Sequence, residues 1–288
     1  MKTLLKRSLL ALPLMMSLSL ANPTEAAKGV VMDFGAVDTL KALDKTDAIL
    51  ALPVTNLPQY LGQIDQTNMQ DSGGMKAPNL DLLTEIKPAF IVISPRLGGR
   101  VEELSQYAPV LNFTANPDDY YASVSQNILE LAKLVDAETE ANASLNALNT
   151  TLAGIKAEIA KSEKNALVVI HNDGKYGATP TSGSAKFIHQ FLGVKNAETS
   201  PKEDRQAADV EYLETVKPDV IFIIDRSAAI GQTPMVLDTF KAEVTSKVTN
   251  GAGEEIEVVY LDPTLWYLSG NGLMSIEAQA KEIASALK

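Results

Sequence analysis

Two kinds of hydrophobic pattern alternate along this chain. Apolar runs of strand length, rich in β-branched residues, lie at 29–32, 48–54, 89–94, 166–171, 219–225 and 257–261, with a shorter one at 110–113. Apolarity without strict alternation marks strands covered on both faces, the habit of parallel sheets. Between the runs, apolar residues fall at helical intervals, as in Val37, Leu40 and Leu43 or Leu80, Leu83 and Ile86. The middle of the chain differs. Stretches 123–135 and 137–162 hold neither Pro nor a cluster of turn residues, and Leu145, Leu148, Leu152, Ile155 and Ile159 recur at spacings of three and four. That spacing predicts one long amphipathic helix, interrupted only by Gly154. The strands and helices on either side predict an α/β protein of two Rossmann-like lobes with parallel sheets, at 28–136 and 164–288, joined by a connecting helix at 137–163. A helix packed on both lobes is a stiff connector that permits only small changes in the width of the cleft between them.

One segment occurs twice. Residues 79–96 return as residues 209–226 without a gap, at a constant offset of 130 (226 minus 96). Each copy runs from a short helix bearing an acid, Asp81 or Glu211, through Lys-Pro into an apolar strand, and ends on an arginine, Arg96 or Arg226. Ligands of open α/β sheets bind beyond the carboxyl ends of the strands, so both arginines stand where a ligand would be held. Two lobes meeting across a cleft would set both cations against one anion. A surface ion pair would explain either arginine alone, but the repeated placement favours the ligand.

Composition narrows the setting. Apolar content of 45% and charged content of 21% fit a folded globular chain long enough for two domains. Residues 1–21 read as a secretory signal peptide: Lys2, Lys6 and Arg7 form a basic start, 9–20 an apolar core, and Ser19-Leu20-Ala21 a cleavage site, with a cut after Ala26 as the competitor. The chain has no Cys, so it is neither a disulfide scaffold nor able to carry a lipid on a cysteine, and no membrane anchor is expected. A free periplasmic protein is the simplest address. Loss of the three signal-peptide cations takes the net charge from -11 to about -14, which argues against nucleic acid as a partner and makes any cationic site local. The last strand leads into Asp262-Pro263-Thr264-Leu265-Trp266-Tyr267-Leu268, a loop at a strand end whose Trp266 is expected to form a cleft wall.

These residues together resemble the periplasmic binding proteins of ATP-driven iron-siderophore importers, the class III architecture of two lobes joined by one long helix, and among them the binders of catecholate siderophores. The resemblance rests on 33–40 (Asp33-Phe34-Gly35 onward), on 56–61 (Asn56-Leu57-Pro58-Gln59-Tyr60-Leu61), on both copies of the repeat, on Asp225-Arg226, and on 260–272 through Trp266-Tyr267 to Gly270-Asn271-Gly272. It implies a receptor that catalyses nothing, has no intrinsic cofactor, acts as a monomer, takes a ferric siderophore as ligand and delivers it to an inner-membrane ABC permease. Arg96 and Arg226 match arginines that hold the iron chelate, Tyr267 matches a tyrosine that completes iron coordination, and Asp81 and Glu211 match acids that dock on the permease. Trp266 and Tyr267 are also candidates for stacking on catechol rings.

The departures from the pattern are specific. A third arginine would fall at Ser184, with Lys186 nearby as a substitute, and a histidine partnering the tyrosine on iron would fall near Asp204. Either the ligand is a hexadentate chelate that needs no protein donor, or another group enters, Asp204 itself or His171 at a strand end, while His189 on an apolar helix reads as structural. With one arginine and the histidine missing, haem, cobalamin or another iron chelate stays in competition as cargo. An exported α/β hydrolase is the rival of a different kind, but the chain has no Gly-x-Ser-x-Gly and no His-Glu-x-x-His, and its two His are too few for a zinc receptor. Asp33-Phe34-Gly35 lacks the phosphate loop and catalytic loop that a kinase would need.

Overall fold

A computed structural model of the chain describes residues 27–288 apart from 63, 65, 68, 182 and 199–205. The expected signal peptide and Asp204 lie outside the described residues. The first lobe holds a five-stranded sheet, all parallel, in the order Gln70–Asp71, Ile49–Leu52, Gly29–Met32, Phe90–Ile93, Val110–Asn112. The second runs Gln206–Ala207, Lys175–Ala178, Asn165–Asn172, Val220–Asp225, Glu257–Tyr260, with Lys195–Asn196 also pairing to Asn165–Asn172.

The second sheet corrects the all-parallel expectation. Asn165–Asn172 turns straight back into Lys175–Ala178, which pairs antiparallel to it, and Gln206–Ala207 is antiparallel to that strand in turn. The cause is Asp173-Gly174, whose φ angles of 51° and 72° supply the two left-handed residues of a tight hairpin turn. In the first lobe the corresponding strand, Gly29–Met32, leads instead into the helix Phe34–Ala42, for which Asp33 accepts the N-cap bond from the Ala36 amide at 2.9 Å.

The two repeated helices, Leu80–Ile86 and Val210–Val216, are built alike. Asn79 and Asp209 cap them by accepting from the Leu82 and Tyr212 amides at 3.1 and 2.9 Å. Both stop at a lysine in the left-handed region, Lys87 at φ 45° and Lys217 at φ 50°, because the following proline forbids another helical turn. The chain then drops directly into an interior strand of its sheet, Phe90–Ile93 or Val220–Asp225, next to the central one.

The connecting helix is Glu138–Ile159, about 33 Å long at ~1.5 Å per residue. It buries Ala141, Leu145, Leu148, Leu152 and Ile159 against Tyr120–Leu134 and the C-terminal helix Leu273–Ala286. Beneath these helices one continuous core runs from Val31 and Phe90 of the first sheet to Val168 and Phe222 of the second. Each sheet's other face carries a separate core, with Leu83, Leu97 and Leu104 over the first and Leu213 and Phe240 over the second. The lobes therefore share one side and are independent on the other, which confines relative motion to a small opening of the cleft.

A clasp on the shared side ties the chain's two ends together. Asp38 accepts from the Met274 and Ser275 amides, both at 3.1 Å, and so caps the C-terminal helix from a residue over 230 positions away. Tyr60 donates to the same carboxylate at 2.9 Å and is bonded to Ser269. Gly272 is required there, since a Cβ would sit 2.0 Å from the Asp38 carboxylate and 2.1 Å from the Gly35 carbonyl. Burial, opposed by these hydrogen bonds, pushes the Asp38 carboxyl up to about 6. Burial, with Asp38 adding to it, pushes Asp33 up to about 7.

Candidate functional site

Both repeat arginines lie in the first residues of a helical turn just beyond their strands. Arg96 lies in the 3₁₀ turn Pro95–Arg100 after Phe90–Ile93, and Arg226 opens Arg226–Ala229 after Val220–Asp225. They converge on Tyr267, the last residue of the short helix Pro263–Tyr267 that crosses between the lobes. Arg96 Nη2 donates to the Tyr267 carbonyl at 2.5 Å, and Arg226 Nε donates to the Tyr267 hydroxyl at 2.8 Å. The guanidinium carbons stand 5.1 and 5.6 Å from the tyrosine ring centre, so the π face also meets both cations. Asn172, at the end of the hairpin strand, takes a further bond from Arg226 Nη1.

These three residues line a cavity of about 310 Å³, bounded on the first-lobe side by Thr55, Asn56, Met75 and Lys76 and on the other by Ile230. None of its lining residues is a carboxylate. At its rim the lobes touch: Asn56 Oδ1 is 3.2 Å from where a Cβ on Gly231 would lie. Cations facing one cavity with no acid among them repel one another, and an oxygen-rich anion relieves that repulsion while meeting the planar donors of two arginines.

The remaining candidates are placed elsewhere. Trp266 is 4% exposed and does not reach this cleft. Successive helical residues point about 100° apart, so while Tyr267 turns to the arginines, Trp266 turns inward, donates to Glu282 at 2.6 Å and meets Phe187 edge-on. It lines a second cavity of about 470 Å³ together with Tyr120, Tyr121, Phe187 and Phe191. Lys186 and Ser184 border that second cavity too, and Lys186 pairs with Asp118 at 3.2 Å. Lys186 is thus no substitute for a third arginine in the cleft; its segment Lys186–Phe191 is wound as a π-helix packed on the aromatic residues.

His171 is likewise withdrawn as an iron donor. It is 3% exposed and both ring nitrogens are used: Nε2 accepts from the Gly174 amide at 3.0 Å, which leaves the proton on Nδ1 for Asp225 at 2.8 Å. Burial alone would raise the Asp225 carboxyl, but bonds from His171, the Met235 and Ala228 amides and Tyr260 outweigh it and hold it below its ordinary value. This network anchors the residue next to Arg226. His189 Nδ1 donates to the Val194 carbonyl at 3.0 Å, and burial lowers its pKa. Asp81 and Glu211 are both exposed, each in the first turn of its repeated helix. No group of three or more His, Cys, Asp or Glu among the described residues is arranged to hold a metal ion.

Three structural features escaped the sequence reading: Lys76 on the cavity wall, Asn172 behind Arg226, and the Asp38 clasp. Asn172 was within reach, because Asp-Gly after an apolar strand is a strong hairpin signal. The Asp38 contact joins the two ends of the chain, and no local pattern announces it.

Comparison with known proteins agrees with this architecture. A curated relative, the petrobactin-binding protein YclQ of Bacillus subtilis, is 33% identical over 271 residues, covering 92% of this chain and 84% of that protein. Its crystal structure superposes with a TM-score of 0.81 over 91% of this chain and 92% of the other. The iron-uptake substrate-binding protein PiuA of Streptococcus pneumoniae superposes at 0.78, with 31% identity and coverage of 91% and 93%. The ferric-anguibactin-binding protein FatB of Vibrio anguillarum is 24% identical over 259 residues, covering 88% of this chain and 80% of that protein. A family model described as periplasmic binding protein matches residues 30–265, and the chain belongs to that family.

Proposed function

We propose that this protein is the periplasmic substrate-binding component of an ABC importer, that it captures an anionic ferric siderophore of catecholate type, and that it delivers it to the permease without catalysing a reaction. The observation that carries the reading is Tyr267 held between Arg96 and Arg226 in a 310 Å³ cavity whose lining residues include no carboxylate. A phenolate is a hard oxygen donor suited to ferric iron, and the Arg226 N–H already aimed at the Tyr267 oxygen would stabilise its charge. Relatives whose names record petrobactin and ferric anguibactin as cargo support iron chelates as the class. The exported, unanchored monomer expected from the sequence fits this role. One exposed acid on each lobe, Asp81 and Glu211 at matched positions, gives the permease a pair of contacts that reports lobe spacing.

The test is a titration of purified protein with ferric tris-catecholate, followed by quenching of its fluorescence. Saturable binding that collapses when Arg96 and Arg226 are both replaced by Ala supports the reading. Equal binding by that double variant, or binding of haem or cobalamin with none of ferric catecholate, would overturn it.

A further inference from the structure

Two carboxylates adjoin Arg226, and it pairs with neither. Asp225 precedes it in the chain, and Asp173, exposed on the hairpin turn, lines a surface pocket with it, yet Arg226 forms no salt bridge among the described residues. The strand register accounts for the first. Asp225 and His171 are direct partners across the parallel strands Val220–Asp225 and Asn165–Asn172, so the carboxylate meets an imidazole. Each Asp225 oxygen then takes two donors: Oδ1 from His171 Nδ1 at 2.8 Å and the Ala228 amide at 3.1 Å, Oδ2 from the Met235 amide at 2.7 Å and the Tyr260 hydroxyl at 2.9 Å. A carboxylate offers about four lone-pair sites, so none is left for a guanidinium. Arg226 finds an amide instead: Nη1 donates to Asn172 Oδ1 while Nε donates to the Tyr267 hydroxyl. The turn after Asn172 is fixed in its own right, because the Asp173 amide donates to the Ser227 hydroxyl at 2.9 Å and the Gly174 amide to His171 Nε2 at 3.0 Å.

We infer that Asn172 is a positioning residue that fixes the Arg226 guanidinium through a neutral oxygen, while His171, by keeping Asp225 occupied, stops the adjacent carboxylate from neutralising that cation. The inference rests on the anionic-chelate reading above and adds how the second lobe's arginine keeps its charge for the ligand. A carboxylate in the place of Asn172 would hold the guanidinium more strongly, through a charge-assisted bond, but would cancel the charge that the chelate is to meet. An amide gives up bond strength and leaves the charge intact. Bonds to Asn172 and Tyr267 use two of the guanidinium nitrogens and set the plane of the group, so the ligand meets remaining N–H donors that are already ordered. His171 thus serves the site at one remove: one ring nitrogen occupies Asp225 and the other holds the turn that follows Asn172.

The experiment titrates ferric tris-catecholate, at low and high salt, into the native protein and into Asn172→Asp, Asn172→Ala, His171→Phe and His171→Phe/Asp225→Asn variants, with Arg226→Ala as the reference for loss of the cation. Asn172→Asp is nearly isosteric, yet it is expected to weaken binding about thirtyfold and to flatten the dependence on salt, whereas Asn172→Ala, the larger change of shape, weakens it only about threefold. His171→Phe should weaken binding as well, and removing the Asp225 charge in that background should restore most of the loss. If Asn172→Ala costs as much as Asn172→Asp or more, Asn172 acts through geometry alone and the inference is overturned. It is overturned too if both Asn172 variants bind as the native protein does while Arg226→Ala fails, in which case the anionic-chelate reading stands, or if a folded double variant binds no better than His171→Phe. Native-like binding by Arg226→Ala would bring down the underlying reading and the inference with it. Asn172 lies half-buried at the end of a hairpin strand, so its two variants decide the matter should those at His171 fail to fold.

Discussion

The two copies of the repeat place the same residues in the same local structure and then use them differently. In both, a capped seven-residue helix ends on a left-handed lysine, a buried strand follows, and an arginine starts the next turn. Arg96 binds the backbone of Tyr267, whereas Arg226 binds its hydroxyl and is braced by Asn172. The residue before the turn differs as well. The first copy has Ser94, buried with no partner for its hydroxyl among the described residues, and the second has Asp225, whose carboxylate gathers four donors. Repetition fixes where a side chain emerges; the neighbours brought by the rest of the fold decide what it does.

Removing the arginines should break this comparison most visibly. Charged hydrogen bonds are worth ~1.5–3 kcal/mol, so Arg226→Ala is expected to weaken ferric tris-catecholate binding by one to two orders of magnitude. Arg96→Ala should cost less, because Tyr267 keeps its hydroxyl partner. Equilibrium titration of the two variants checks the order, and a larger loss from Arg96→Ala would reverse the assignment of roles.

Tyr267→Phe isolates the hydroxyl that only Arg226 sees. With a chelate that leaves iron sites open, affinity should fall about tenfold and the phenolate-to-iron absorption band should be missing. With a chelate that fills all six sites the change should be small. Equal losses for both chelates would mean that the ring, and not its oxygen, does the holding.

A third contrast concerns buried acids at strand ends. Asp33 and Asp225 both cap a helix after a strand, yet Asp33 is pushed up to about 7 while Asp225 is held below its ordinary value. The difference lies in hydrogen bonds: Asp225 takes donors from His171 and Tyr260 besides two amides, and Asp33 lacks such a set. For a carboxyl raised on folding, its favourable contribution is complete below the unfolded pKa and is lost as pH rises through the folded value. Asp33 and Asp38 should therefore make the protein more stable near pH 5 than near pH 8, with the change spread across about 4 to 7. The Asp225 contribution has the opposite sign and is lost only as pH falls below ~4. Thermal melts at several pH values measure this, and Asp38→Asn should flatten the slope; a Tm that rises steadily from pH 5 to pH 8 would contradict it.

The smallest effect on ligand binding is expected from Asp81→Lys and Glu211→Lys, which lie on exposed helix turns away from the cleft. Affinity for the chelate should stay within about twofold, while transport by the assembled importer falls. A loss of chelate affinity would show that these helices are coupled to the cleft, against the docking role proposed for them.

Most of the scaffold was legible because burial writes itself into sequence. Strands such as Val220–Asp225, covered on both faces, need continuous apolar runs, and Leu145, Leu148 and Leu152 must fall on one side of their helix. The arginines were legible because a strand's carboxyl end is a fixed place in this fold. Trp266 was misplaced because the segment was read as a loop, and only its helical turn separates it from Tyr267. Lys76 was missed because a hairpin with two-residue strands has no periodicity to read. Lys186 was put in the cleft on a resemblance of position, while it stands at the start of its π-helical segment and pairs with Asp118 instead.

A crystal structure of the protein with a bound ferric catecholate tests the central claim most directly, because the two cavities on either side of the Trp266–Tyr267 step offer different homes. The account predicts iron in the cavity lined by Arg96, Arg226 and Tyr267, with both guanidinium groups at hydrogen-bond distance, about 2.7–3.0 Å, from catecholate oxygens. A chelate seated instead among Tyr120, Phe187 and Trp266, with Arg96 still bound to Tyr267 and Arg226 still bound to Tyr267 and Asn172, would contradict it.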